Sequence, residues 1–384
     1  MSGSRYLWAE QAAALLDVQK ATLYAYVSRG LIRSRAVSGT RKRQYLRSDV
    51  ERLRAGKHAR RDPRGAAKAT LGMRGLPVLQ SALTCIDSGR VFVRGRDLVE
   101  LAHTSHFEDV VALLWGAWPP DVLPSRRRGR ASSLPLLARM QQRLAEDDVL
   151  DPAARSLNPG SVRRVGAAVL RRLVGEACQS APSLDPIAEQ LARAWGISSA
   201  DSIDAALVLC SDHGLNVSAF TARCVASAGA SIPMVVSAGL GALSGRNHGG
   251  HSQRVSAMLE GPGSVSRILA RVAERDGELP GFGHTLYPRG DPRGAALLER
   301  AVSGPAKRRA ARFIEVARER HGLHPNLDFG LVTLCRSVGA PVWAPWALFA
   351  IGRTAGWIAH ALEQYETGTL IRPRAEYIGP LPSE

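Results

Sequence analysis

Aromatic side chains make up only 5% of the 384 residues, although 45% of the chain is apolar. A core so poor in rings has to be packed from Ala, Leu and Val, which suits a mainly helical protein. At this length it can be two domains, or one large domain plus a module. Cysteine is scarce too. The five (Cys85, Cys178, Cys210, Cys224, Cys335) are odd in number, scattered and without metal-site spacing. That speaks against a disulfide framework or a metal site and for reduced thiols in a cytoplasmic protein. No signal-peptide pattern precedes the charged amino-terminal segment, and no apolar run has the length and purity of a membrane span. Also missing are a Gly-rich phosphate loop, a nucleotide-binding strand-turn-helix, a G-x-S-x-G elbow and internal repeats. Acidic residues are the last shortage: 34 Asp/Glu stand against 51 Lys/Arg, for a net charge of +17. The excess is uneven, since residues 1–65 hold 15 Lys/Arg and 5 Asp/Glu. A segment that basic fits a polyanion partner.

Within that segment, Leu7 to Leu16 has a short helical pattern and Asp17-Val18 breaks it. A second helix runs from about Lys20 to Arg29, where Gly30 ends it. Ala36 to Leu46 reads as a hairpin with Ser38-Gly39-Thr40 at the tip and Arg41, Lys42 and Arg43 beside it. Ser48 and Glu51 then form a capping box for a further helix. The stretch ATLYAYVSRGLIRS and the basic wing after it resemble the MerR-type winged helix-turn-helix domain. The resemblance implies duplex DNA as a partner, with Lys20, Thr22, Tyr24 and Arg29 facing the major groove and Arg41, Lys42 and Arg43 on phosphate. Asp17 and Gln19 depart from the usual glycine and Ser/Thr cap of the turn. This module is placed at 1–57, with a linker rich in Arg, Gly, Pro and Ala at 58–68.

Beyond the linker, Leu79 to Asp87 and Arg90 to Arg94 form a hairpin around Ser88-Gly89. Two helices follow, the second ended by Pro119-Pro120, then a basic loop at Arg126-Arg127-Arg128. A helix over Val162 to Glu176, long helical blocks at 201–243, 254–275 and 292–322, and a last helix from about Pro345 to Gln364 complete the reading.

The residues that carry chemistry lie in four clusters. SDHGLNVSAFTARCVAS places His213 and Asn216 in a helical context. GALSGRNHGGHSQ sets His248 beside two glycines where a helix starts, a place that disfavours imidazolium and keeps the ring a neutral donor. LPGFGHTLYPRGDPR carries His284 and Arg293 on a loop, and NLDFG puts Asp328 at a break between helical runs. A carboxylate can remove a weakly acidic proton alpha to a carbonyl if a neutral donor stabilises the enolate oxygen. Arginines can hold a polycarboxylate bidentately. The histidines lack the short spacing of a zinc site.

Together with IDSGRVFVRGRDLVELAHTSHFEDVVALLW and IGRTAGWIAHALEQYETGTLIRPRAEYIGP, these clusters occur in the order found in citrate synthases, which residues 70 to 380 resemble. The resemblance implies a large helical domain plus a small helical lobe (69–384, the lobe near 254–345). It also implies condensation of acetyl-CoA with oxaloacetate and water, without metal or cofactor. Asp328 corresponds to the base, His248 to the donor at the thioester oxygen and His284 to the acid at the oxaloacetate carbonyl. His213, Arg293 and Arg353 correspond to oxaloacetate ligands, and Arg372 to one supplied by the partner subunit of a homodimer or higher even-numbered oligomer. The backbone of Pro280, Gly281, Phe282 and Gly283 corresponds to the loop that recognises the CoA adenine, while His251 and His360 read as structural. Departures are Arg246-Asn247 for Pro-Leu, Gly330 for serine after an aromatic, and Thr285 and Pro288 where basic residues are common. Two alternatives stay open: a 2-methylcitrate synthase that takes propionyl-CoA, and a DNA-binding regulator whose synthase domain senses CoA or a keto acid.

Overall fold

The computed structural model describes residues 6–16, 18–28, 31–37, 43–47, 49–50, 79–124, 133–373 and 379. The chain forms two compact units, Met1–Gln80 and Ser81–Glu384.

In the first unit the helices Ala9–Leu16 and Lys20–Ser28 pack with a three-stranded antiparallel sheet of Tyr6–Trp8, Ser34–Ala36 and Arg43–Leu46, the last in the middle. Leu7 and Trp8 are therefore strand, not the helix start that their apolar spacing suggests. The reason is tertiary. Leu7 pairs with Tyr45 and both are buried, with Leu16, Leu23 and Ile32, in one small core. The hairpin strands expected around residue 40 are present, and Asp49 closes the fold by accepting from the Arg33 guanidinium at 2.9 and 3.0 Å. The breaks at Asp17 and Gly30, the hairpin tip, the Ser48–Glu51 capping box, the linker and the Arg126-Arg127-Arg128 loop lie outside the described residues.

The second unit opens with the hairpin Thr84–Asp87 and Arg90–Val93. Ser88 and Gly89 both take positive φ, 51° and 79°, which is the twist a two-residue hairpin requires. A short third strand, Arg96–Asp97, pairs with Arg90–Val93. Helices follow almost without interruption. Phe107–Trp115 ends at Gly116, φ 83°, ahead of the prolines that seemed to end it, because glycine accepts the left-handed cap at no steric cost.

The long helical blocks break into shorter helices. Residues 201–243 become Asp201–Cys210, Val217–Ser227 and Ile232–Leu243, and 254–275 becomes Gly250–Glu260 and Val265–Asp276. Residues 292–322 become Pro292–Arg300 and Pro305–His321. Each break follows from glycine, proline or an Asn cap that apolar periodicity passes over. His213 and Asn216 consequently stand between helices rather than within one.

The last helix, Ala344–Thr367, is the axis of the larger core, and most of its residues are buried. Small residues let its neighbours come close. A Cβ at Gly352 would lie 2.7 Å from the Leu207 carbonyl, one at Gly356 2.5 Å from that of Ser211, and one at Gly239 2.6 Å from the Trp357 ring. A second apolar core gathers Val255, Leu269, Phe282, Phe313, Phe329 and Val332. The functional clusters fall where these two cores meet.

Candidate active site

His213 sits in the gap between Asp201–Cys210 and Val217–Ser227. Asn216 caps the second helix by accepting from the Ala219 N–H at 2.9 Å. Its neighbour Asp212, fully buried, accepts from the Gly214 N–H at 3.0 Å and from the Thr84 hydroxyl. Burial alone would raise the Asp212 pKa; nearby His360 and Arg353 and the Thr84 hydrogen bond hold it at about 2 instead. The His213 Nε2 lies 2.8 Å from the Tyr287 hydroxyl, and its ring meets that of His284 edge-on with centroids 5.3 Å apart. Burial and the charges of Arg293 and Arg353 push the His213 pKa far down, so the ring is neutral.

His248 is presented by a tight turn after Ile232–Leu243. The Gly249 N–H returns to the Leu243 carbonyl at 2.8 Å, and a Cβ on Gly249 would stand 2.2 Å from that oxygen. Only glycine fits there. The ring's Nε2 is 2.8 Å from the Ser218 hydroxyl oxygen, and its edge meets the Phe349 ring at 5.8 Å. Burial first, then Arg353, lowers its pKa to about 4, so this ring is neutral as well.

The loop from Leu279 to Arg293 is fastened to the segment before Asp328. Gly281 and Gly283 take φ of 82° and 75°. The Gly281 carbonyl accepts from the Asn326 N–H at 2.9 Å, and the Gly283 N–H donates to the His324 carbonyl at 2.8 Å. The Gly283 carbonyl accepts from the Asn326 side chain at 3.2 Å. Much of the polar backbone assigned to adenine recognition is thus already engaged within the loop's own anchorage. Pro280, Gly281 and Phe282 are buried, with the Phe282 ring 4.6 Å from that of Phe329. The His284 Nδ1 accepts from the Leu286 N–H at 3.1 Å, which leaves Nε2 to carry the proton of the neutral ring. Burial and Arg293 lower the His284 pKa.

Asp291 caps Pro292–Arg300 and grips the Arg293 guanidinium at 2.8 and 3.0 Å; both side chains are buried. Arg353, with no exposed surface, donates through Nε to the Cys210 carbonyl at 2.7 Å and lies 4.9 Å from the Phe349 ring. Its Nη1 is buried with no hydrogen-bond partner among the described residues. A buried cation with an unused donor is costly unless an anion arrives.

Asp328 lies in the first turn of Leu327–Ser337, which Asn326 caps. Glycines bring this helix onto Pro292–Arg300: a Cβ at Gly330 would be 2.6 Å from the Gly294 carbonyl, and one at Gly294 2.4 Å from that of Asn326. Asp328 Oδ1 accepts from the Ser252 hydroxyl at 2.8 Å. Burial raises its pKa, against the opposing pull of Ser252, His251 and Arg293.

The fold therefore gathers three neutral histidines, two buried guanidinium groups and one carboxylate of raised basicity. Such a set can hold a small polyanion and move a proton beside it. Arg372 is not gathered; it is exposed just past the last helix. Residues absent from the sequence reading are Ser218, Ser252, Tyr287, Asp291 and Phe349. Phe349 lies four residues before Arg353 on one helix face, so it could have been found from that spacing, whereas His248 precedes the helix of Ser252 and no such spacing marks the serine.

Residues 126–374 match the citrate synthase C-terminal domain family. A citrate synthase of Haloferax volcanii is 30% identical over 360 residues, covering 80% of this chain and 95% of the relative. The chain belongs to the citrate synthase family. It is thereby an acyltransferase enzyme. A 2-methylcitrate synthase of Corynebacterium glutamicum is 27% identical over 343 residues, covering 76% of this citrate synthase homologue and 90% of the relative. The crystal structure of a citrate synthase from Thermotoga maritima superposes with a TM-score of 0.68 at 26% identity, over 82% of this chain and 97% of that one.

In the amino-terminal unit, residues 8–64 match the MerR HTH regulatory protein family. On the second helix Tyr24 is exposed, Thr22 is half-buried and Lys20 is exposed in an ion pair with Glu10 at 2.7 Å. Arg43 is exposed and donates to the Ser34 hydroxyl at 3.1 Å. Arg29, Arg41 and Lys42 lie outside the described residues. No described helix is long and apolar enough to cross a membrane, and the described residues form no cluster of three or more metal-ligating side chains.

Proposed function

We propose that the chain condenses acetyl-CoA with oxaloacetate and water, releasing citrate and free CoA. Asp328 takes a proton from the acetyl methyl group while His248 donates to the thioester oxygen, so an enol forms rather than a full enolate. The Ser218 hydroxyl lies 3.0 Å from the Asn216 Oδ1 and 2.8 Å from the His248 Nε2, and its one proton, turned to His248 rather than to Asn216, leaves Nδ1–H as the donor. The enol returns its hydroxyl proton to His248 as its carbon bonds to the oxaloacetate carbonyl carbon, and His284, whose neutral ring carries its proton on Nε2, gives that proton to the carbonyl oxygen. Water then cleaves the citryl thioester. Arg293 and Arg353 hold the oxaloacetate carboxylates with their positive charge, and neutral His213 hydrogen-bonds to them. His284 and Asp328 ride on the lobe proposed near residues 254–345, and His213 and Arg353 on the larger domain. The observation that carries the reading is the buried Nη1 of Arg353, without a hydrogen-bond partner among the described residues, beside neutral His213 and His248. Free-thiol release is measured with oxaloacetate and either acetyl-CoA or propionyl-CoA. Faster release from acetyl-CoA supports this reading, and faster release from propionyl-CoA makes the chain a 2-methylcitrate synthase, the activity of the relative from C. glutamicum. Binding of CoA without release from either supports the sensor reading.

For residues 8–64 we propose duplex DNA as the partner, read by the exposed face of Lys20–Ser28 and held through the basic wing. The support is the MerR match together with the exposed Tyr24 and Arg43. Binding to a duplex is measured against salt. Each phosphate neutralised adds about −0.9 to the log–log slope, so replacing Arg41, Lys42 and Arg43 with alanine flattens it. No duplex retained even at low salt contradicts the proposal.

A further inference from the structure

Ser252 is 4% exposed and its hydroxyl reaches one oxygen of Asp328 at 2.8 Å. It stands in the first turn of Gly250–Glu260, the helix that begins just after His248. The turn that presents the proposed thioester donor thus runs directly into the helix that carries, four residues later, the group that touches the proposed base. The sharp turn at Gly249 fixes where that helix starts, since any side chain there would collide with the Leu243 carbonyl. The base sits on a different helix, Leu327–Ser337, whose own position is set by the Gly294–Gly330 crossing. The Ser252–Asp328 hydrogen bond spans these two helices.

We infer that Ser252 is a positioning residue for the reaction: it fixes the rotation of the Asp328 carboxylate and holds one oxygen, leaving the other for the methyl proton. This rests on the reading of Asp328 as the base. The chemistry follows from the donor count. A serine hydroxyl can give a carboxylate one proton-sharing contact, which favours the charged form. Without it, the balance is left to burial and to the charges that surround the site. These are His251 on the same helix, Arg293 and Asp291 at the start of Pro292–Arg300, and Arg353 on the last helix. Of these, His251 and Arg293 favour the carboxylate and Asp291 opposes it. Losing the hydroxyl therefore shifts the base upward and lets its plane turn.

The test is the pH profile of kcat for wild type, Ser252→Ala and Ser252→Thr, with Asp328→Asn as control. In Ser252→Ala the acid limb moves up by about one pH unit and the plateau falls about tenfold, the scale of one charged hydrogen bond and a loosened geometry. The KM for oxaloacetate stays within about twofold, because its ligands are elsewhere. Ser252→Thr restores limb and plateau. A role confined to helix packing would lower stability without moving the limb. If Ser252→Ala fails to fold, Ser252→Cys keeps the shape with a weaker donor and the limb moves in the same direction. An unmoved limb and plateau in the folded variant, with Asp328→Asn inactive, overturns the positioning role. If Asp328→Asn is itself active, it is the reading of the base that fails.

Discussion

Asp328 is held in a setting that costs the folded protein stability. Burial raises its pKa, so wherever it ionises its charge is carried against the preference of the fold. The sign follows from linkage: a carboxyl raised on folding favours the native state at low pH and opposes it once ionised. Asp328→Asn keeps an acceptor for Ser252 and removes the charge. Its Tm should rise by about 1–3 °C at pH 7.5 and by nothing at pH 3.5, as scanning calorimetry can check. The histidines run the other way. His248 falls from 6.5 to about 4, so its contribution is complete above pH 6.5 and drains away as pH falls towards 4. His248→Gln should therefore lose less Tm than wild type between pH 7 and pH 5. Equal losses would show that His248 takes no part in the acid transition. At this scale the sequence was informative about identity and poor about partners. His213, His248, His284 and Asp328 stood out among glycines and caps. Ser218 and Tyr287 did not, because a hydrogen bond between distant segments leaves no local pattern, and Asp291 read as no more than the residue before a helix-starting proline.

Between elements, glycine decides how the site is assembled. Gly352 and Gly356 let Ala344–Thr367 touch the chain just before and at Asp212, which sets Arg353 and His213 on facing segments. Gly294 and Gly330 do the same for the helices of Arg293 and Asp328. A methyl group at Gly356 would meet the Ser211 carbonyl at 2.5 Å and the Asp212 carboxylate at 2.4 Å, neither able to yield easily. Gly356→Ala should cost about 1–3 kcal/mol of stability, the range for overpacking, and weaken oxaloacetate binding with it. A urea titration with the wild-type midpoint would contradict this. Gly330 was noticed in the sequence only as a departure from family habit; its reason, the 2.6 Å approach to the Gly294 carbonyl, needed the crossing itself. Periodicity likewise found the helical blocks and missed their breaks, since a single capping Asn or a Gly-Pro pair ends a helix without changing the apolar rhythm around it.

Across the molecule, a basic amino-terminal module precedes a helical enzyme, and the uneven charge was one sign that set the first apart in the sequence. Most of the charge excess lies in the first 65 residues. The strand Tyr6–Trp8 escaped that reading, as it exists only by pairing with Arg43–Leu46. Arg372 poses the larger question. It lies exposed just past the last helix, and we propose that it serves a second subunit. On a shared-site dimer, Arg372→Ala and Asp328→Asn subunits mixed to exchange should recover about a quarter of wild-type activity, because half the dimers regain one intact site. No recovery despite proven exchange would assign Arg372 to its own subunit. The central claim, that Asp328 is the base of a condensing enzyme, meets its most direct test in free-CoA release from acetyl-CoA with oxaloacetate, wild type against Asp328→Asn. The account expects steady release by the wild type and at least about a 100-fold loss in the variant with oxaloacetate binding retained. Near wild-type release by Asp328→Asn would contradict it.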